Sequence, residues 1–270
     1  MSHDAGTPLS VARYLDCLAA DFEQLRSAAT PAPTARVPSC PDWTVTDLVH
    51  HVGQVYAHKT QAVLAAAPGT EPEWPPKGTS DEEPFALLDR AYTELRTAFE
   101  THAPEGPSGT WYSPDQTVGF WIRRMAQETV IHRIDAELAA DGPISPVPDD
   151  LAIDGIDELL KVFTAYAVTE WSAYFREPLA ASPGRTYEVR AETDRGATWR
   201  IRTGSDPDPT FTVEDGAAAS SADVTLSGTP AALLRDLWNR VGADETSQVR
   251  VTGAPEAVEE LRACLMISTQ

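Results

Sequence analysis

The stretch WIRRMAQETVIHRIDAELAA, residues 121–140, carries the helical period, yet its apolar line turns polar half-way along. Val118, Trp121, Met125, Glu128, His132, Asp135 and Ala139 follow one another at spacings of 3, 4, 3, 4, 3 and 4, which places them on one face of a helix over about 117–140. A face that opens with Trp121 and Met125 is a core face. Glu128 and His132 therefore point inward, where an ionisable pair needs a partner.

The neighbouring segments supply the rest of a bundle. Residues 9–29 carry Leu15, Leu18, Phe22 and Leu25 at helical spacing. Thr44 followed by Asp47 reads as a capping box opening a second helix, whose inward face is Leu48, His51, Val52 and Val55. A third helix over about 84–102 shows Phe85, Leu88, Tyr92, Leu95 and Phe99. A long apolar-rich helix is expected over about 149–175, with Ile156, Leu159, Leu160, Phe163 and Tyr166. Together these predict a four-helix, up-down bundle with one additional helix over residues 1–178.

Beyond REPLAASPGR the texture changes. TYEVRAE, TWRIRT, TFTVED and ADVTLSG alternate in the manner of strands, separated by Asp194, Gly196, Gly204 and Pro207. A helix with Leu233, Leu234, Leu237 and Trp238, the strand QVRVTG and a helix from Pro255 complete a small α+β domain with an antiparallel sheet over 184–270. The chain thus reads as two domains, all-α then α+β.

Composition narrows the function classes. A net charge of -20 repels phosphate backbones and anionic lipid surfaces, and no basic stripe interrupts it, so neither nucleic acid nor a membrane is expected as a partner. No apolar run reaches the roughly 18 residues of a spanning helix, and the N-terminus MSHDAGTPLS has no signal-peptide pattern, which predicts a cytoplasmic protein. Cys17, Cys40 and Cys264 are too few and too dispersed for a disulfide scaffold, so free thiols are expected. Only three of the 21 basic residues are lysines, and alanine and proline are abundant, a bias typical of a GC-rich, actinobacterial genome. With no exposed apolar stripe left over, a monomer is expected.

The polar seam admits two readings. Residues at i and i+4 sit about 5–6 Å apart on one helix face, so Glu128 and His132 can hold one cation, with His51 as a third ligand from a facing helix. Two imidazoles and a carboxylate suit catalytic zinc with a position left open, and non-haem iron equally. A helical E-x-x-x-H pair is also common as a plain hydrogen-bonded pair. His50 faces elsewhere, and His58 can share the His51 face in a structural role. The peptidase motif H-E-x-x-H is absent, because Gln127 precedes Glu128 and His132 comes one position late. Cys40, between Pro38 and Pro41, reads as part of a rigid turn, and Trp111 and Tyr112 as aromatics capping the bundle or lining a pocket mouth.

VPSCPDWTVTDLVHHVGQV (37–55) and GFWIRRMAQETVIHRIDAELAADG (119–142) resemble the two signature stretches of the mycothiol-dependent maleylpyruvate isomerase family, a branch of the DinB-like metal-binding bundles. SADVTLSGTPAALLRDLWNRVG followed by VRVTGAPEAVEELR is similar to that family's sterol-carrier-like C-terminal domain, so the resemblance spans nearly the whole chain. It implies His51, Glu128 and His132 as ligands of a divalent metal, zinc first, with nickel or iron as alternatives. It also implies mycothiol or a similar low-molecular-weight thiol as cosubstrate, and thiol-dependent isomerisation of, or S-transfer to, a small electrophile. A non-catalytic, metal-containing binding or regulatory module of the same fold is the other reading. Arg240, in LWNR, reads either as a catalytic carboxylate clamp or as an arginine at a helix end. Asp135 reads either as the residue that orients a ligating histidine or as a partner of Arg133. The chain departs from the family pattern at Gln127, where members often carry histidine, and at GQVY, where GGVH is frequent.

Overall fold

Thr44 opens the helix on which the first half of the molecule is organised. In the computed structural model its hydroxyl accepts from Asp47 N–H at 3.3 Å, while Asp47 Oδ2 accepts from Thr44 N–H at 2.8 Å, a complete capping box. The structure describes residues 8–180, 182–194, 196–216, 221–242 and 247–269. Four helices, α1 (Val11–Ala29), α2 (Val45–Ala65), α3 (Pro84–Thr101) and α4 (Val118–Ala139), form a bundle. α1 packs along α4 and α2 along α3. Gly53 sets the second contact, because a Cβ there would stand 2.8 Å from Leu87 Cγ and 3.1 Å from the Leu88 amide.

α4 is buried on nearly every side rather than along one stripe. Its polar residues are therefore paired internally. Arg133, wholly inaccessible, places Nε 2.9 Å from Asp21 Oδ1 and Nη1 2.9 Å from Glu137 Oε2, and donates to Ser145 O. Burial pushes the Asp21 carboxyl up to about 6 despite Arg133.

A short hairpin, β1 (Arg36–Val37) with β2 (Cys40–Thr44), precedes α2 and packs on α4. The proline-rich segment, expected only as a break between helices, is thus an ordered element. Strands of two and five residues with four prolines nearby show no alternation for the sequence pattern to reveal.

The chain divides into two compact units, Ser10–Ser145 and a second that takes Pro146 onward together with Leu9. The segment after Pro146, grouped with the bundle in the sequence reading, makes its contacts in the second unit, where α5 (Asp149–Asp157) packs on α8 (Pro230–Leu237). The long helix expected over 149–175 is irregular: α5 continues as a π-helix (Glu158–Ala165) and α6 (Tyr166–Glu170), and ends at Trp171. The side chain of Thr164 caps the Leu159 carbonyl five residues back, the spacing of the wider turn. A 3₁₀ turn (Ser172–Phe175) and α7 (Arg176–Leu179) follow.

β3 (Thr186–Ala191), β4 (Ala197–Gly204), β5 (Thr210–Asp215), β6 (Val224–Gly228) and β7 (Arg250–Gly253) make one sheet in the order β5-β4-β3-β6-β7, backed by α8 and α9 (Pro255–Ser268). Every neighbouring pair is antiparallel except β3 with β6, which run parallel, so the expected antiparallel sheet contains one parallel seam. Trp199, fully buried on β4, donates its indole N–H to Asp157 Oδ1 at 3.0 Å, which fastens the end of α5 to the sheet. Among the described residues no helix is long and apolar enough to cross a membrane, and none of the three cysteines forms a disulfide.

Candidate metal centre

α2 and α4 meet at three side chains. His51 Nε2 lies 3.7 Å from Glu128 Oε1, and His132 Nε2 lies 3.1 Å from the same oxygen. One ligand atom from each residue falls within 4.8 Å of the others. The imidazole rings of His51 and His132 cross edge to face, 5.3 Å between centroids. A tetrahedral ion with bonds of about 2.0–2.1 Å separates its ligand atoms by about 3.3 Å, and the observed 3.1 and 3.7 Å bracket that value. The donor set suits a divalent cation, and both histidine-to-Glu128 separations are near the tetrahedral value.

The atoms behind these donors are fixed as well. Glu128 Oε2 accepts from Arg124 Nη2 at 2.7 Å, one turn earlier on α4, which leaves Oε1 facing the two histidines. His132 Nδ1 is 3.0 Å from Asp135 Oδ2, and Asp135 Oδ1 accepts from Ser39 Oγ at 2.5 Å. A carboxylate only accepts, so Nδ1 carries the proton and Nε2 is the nitrogen turned toward His51 and Glu128. Of the two readings of Asp135, the geometry places it on His132 and Ser39, while Arg133 turns to Asp21 and Glu137.

Burial alone would raise the Glu128 carboxyl, but His132, His51 and Arg124 together outweigh it and hold the group well below the usual carboxylate range. Burial likewise opposes a charged His132, yet the Glu128 charge and the Asp135 hydrogen bond raise its pKa to about 9. Without metal, a proton thus bridges His132 and Glu128 at neutral pH.

Aromatic rings wall the open side. Trp43, the penultimate residue of β2, sits 4.8 Å from the His51 ring, and Trp74, half exposed at 51%, sits 6.0 Å from it. Two further histidines of α2 fasten the loop that carries Trp74: His50 Nε2 bonds Thr79 O and His58 Nε2 bonds Pro72 O, both at 2.9 Å. His50 and His58 are thus loop anchors. Trp111 and Tyr112 pack edge to face and stacked, respectively, on Phe120 at the start of α4.

Arg240 is in the second unit just beyond α8, buried, donating through Nη1 to Trp238 O and lying 5.9 Å from the Trp238 ring. Cys40 lies half-buried on β2. Ser39, Trp74, Arg124 and Lys59 were not singled out by the sequence. Arg124 had a usable signal, its i, i+4 spacing to Glu128.

Residues 15–137 match the family model described as the mycothiol maleylpyruvate isomerase N-terminal domain, and residues 150–260 match that of the MDMPI C-terminal domain. The chain belongs to the mycothiol-dependent maleylpyruvate isomerase family. Two solved structures share the fold across both domains of this family member. One is the crystal structure of the mycothiol-dependent maleylpyruvate isomerase, 14% identical with a TM-score of 0.57. The other is a histidine-to-alanine mutant of a mycothiol-dependent maleylpyruvate isomerase, 15% identical with the same score. Each alignment covers 92% of this chain and 96% of the other. No curated protein matches the chain.

Proposed function

We propose that this family member is a metal-dependent enzyme that uses a low-molecular-weight thiol of the mycothiol type to isomerise, or to place sulfur on, a small electrophile. The observation that carries the reading is the convergence of His51, Glu128 and His132 from two helices on one point, with Asp135 holding the far nitrogen of His132. A divalent cation held there, zinc first with nickel or iron as alternatives, would supply positive charge that keeps a bound thiol deprotonated near neutral pH.

The chain's own residues do the remainder. Asp135 and Ser39 fix the imidazole of His132 in the tautomer that presents Nε2. Arg124 holds one oxygen of Glu128 so that the other is available. Trp43 and Trp74 form an apolar wall beside His51, which limits water at the open side and gives a flat surface to a ligand. None of the cysteines is required as nucleophile, and Cys264 is pushed by burial up to about 12.

The test is a panel of electrophiles, maleylpyruvate first, assayed with mycothiol and with other thiols. Turnover that needs both thiol and metal, and that Glu128→Gln abolishes, supports the reading. Metal-loaded protein that turns over no pair overturns the enzyme in favour of a binding module.

A further inference from the structure

Lys59 stands on α2 two turns beyond His51, and its Nζ lies 4.2 Å from the centroid of the Trp121 ring. Trp121 precedes Glu128 by seven residues on one line of α4, about 10 Å along the axis. The two helices run antiparallel here, since His51 meets Glu128 and His132 while Lys59 meets Trp121. Lys59 thus borders the same α2–α4 seam as the ligand set.

Its charge is compensated only at a distance. Among the described residues no carboxylate lies within ion-pair distance of Nζ, and the ring face is its one specific contact. Glu71 and, less strongly, Glu128 act on it from beyond ion-pair distance, and Glu128 is already engaged by Arg124 at 2.7 Å. A cation–π contact offsets only part of the cost of withdrawing an ammonium from water. Burial is the main force on this amine and lowers it to about 8, so it remains cationic at neutral pH. A fully exposed lysine side chain would avoid that cost, and three donors are too many for one ring face.

We propose that Lys59 anchors a carboxylate of the small electrophile, with Trp121 beneath the ammonium and the carboxylate on its open side. The proposal rests on the functional reading above for the existence of a small-molecule substrate, but it concerns binding rather than turnover. It makes Lys59 a determinant of substrate charge, separate from the metal ligands.

The experiment is calorimetric binding of maleate and of its neutral dimethyl ester to the zinc-loaded full-length protein. Wild type, Lys59→Met and Lys59→Arg are compared, with zinc content and unfolding temperature recorded for each. Loss of a charge-assisted hydrogen bond predicts maleate binding about ten- to a hundredfold weaker in Lys59→Met, unchanged ester binding, and recovery to within a few-fold in Lys59→Arg. A purely structural lysine would shift the unfolding temperature and leave the maleate-to-ester ratio alone. Equal maleate affinity in wild type and Lys59→Met overturns the proposal, as does failure of the wild type to bind maleate. Absence of thiol-dependent turnover would count against the enzyme reading only, because the Lys59-dependent difference in maleate binding is measured without it.

Discussion

His132 Nδ1 and Asp135 Oδ2, three residues apart on α4, stand 3.0 Å from one another, and the aspartate is completely inaccessible. Its other oxygen takes a hydrogen bond from Ser39, 96 residues away in sequence. Asp135→Asn keeps the shape but exchanges an obligate acceptor for an amide that can turn its NH2 toward Nδ1 and favour the wrong tautomer. Metal affinity, read by competition against a chromophoric chelator, should fall about 10–100-fold.

Removal of a ligand should be more severe. Wild-type protein purified without added metal is expected to carry one divalent ion per chain, and His51→Ala to carry far less. Elemental analysis of the two decides it; equal contents would remove His51 from the site.

A metal at this centre would compete with the bridging proton for the same atoms. His132, with its pKa raised to about 9 in the metal-free protein, is protonated at pH 7.5 and must be neutral to ligate. Binding at pH 7.5 should release about one proton, seen as a dependence of the calorimetric heat on buffer ionisation enthalpy. Apparent affinity should weaken about tenfold for each unit of pH below 9 and level off above it.

Arg133 serves stability rather than the site. Arg133→Leu leaves the buried Asp21 and Glu137 carboxylates without their shared cation, and denaturant unfolding should show a loss of about 3–5 kcal/mol. Asp21, already pushed up to about 6, should then titrate higher still.

At Gly53 the constraint is steric. Gly53→Ala puts a methyl 2.8 Å from Leu87 Cγ and 3.1 Å from backbone, so α2 and α3 must separate. A cost of about 1–3 kcal/mol is expected in the same assay.

These residues also show what a sequence can and cannot reveal. The cap at Thr44 and the inward direction of His51, Glu128 and His132 follow from helical spacing, which is local. The apolar stripes are less well placed: Leu15, Phe85 and Tyr92 are only half-buried, whereas Tyr14, Cys17, Leu87 and Ala91 are in the core. α4 shows why. A helix packed on all sides buries Arg124, Gln127 and Arg133 as well as its apolar residues, so its pattern carries little amphipathic contrast. The Ser39–Asp135 contact, the Trp74 wall and the Lys59–Trp121 stack depend on loop paths and rotamers that no spacing encodes. The π-helical turn at Glu158–Ala165 keeps an apolar composition indistinguishable from that of an α-helix.

The Trp74 loop is joined to α2 chiefly through backbone carbonyls, those of Thr79 and Pro72, which accept from His50 and His58. The carbonyl bonds are indifferent to the side chains at the positions they grip, and among the described residues only at Thr79 does a side chain join in, its hydroxyl accepting from Gln54. The loop's other residues are accordingly free to change by mutation while its path over His51 persists. The candidate ligand set is held by two helices and the wall by a replaceable strap, so the surface facing His51 can change without rebuilding the centre.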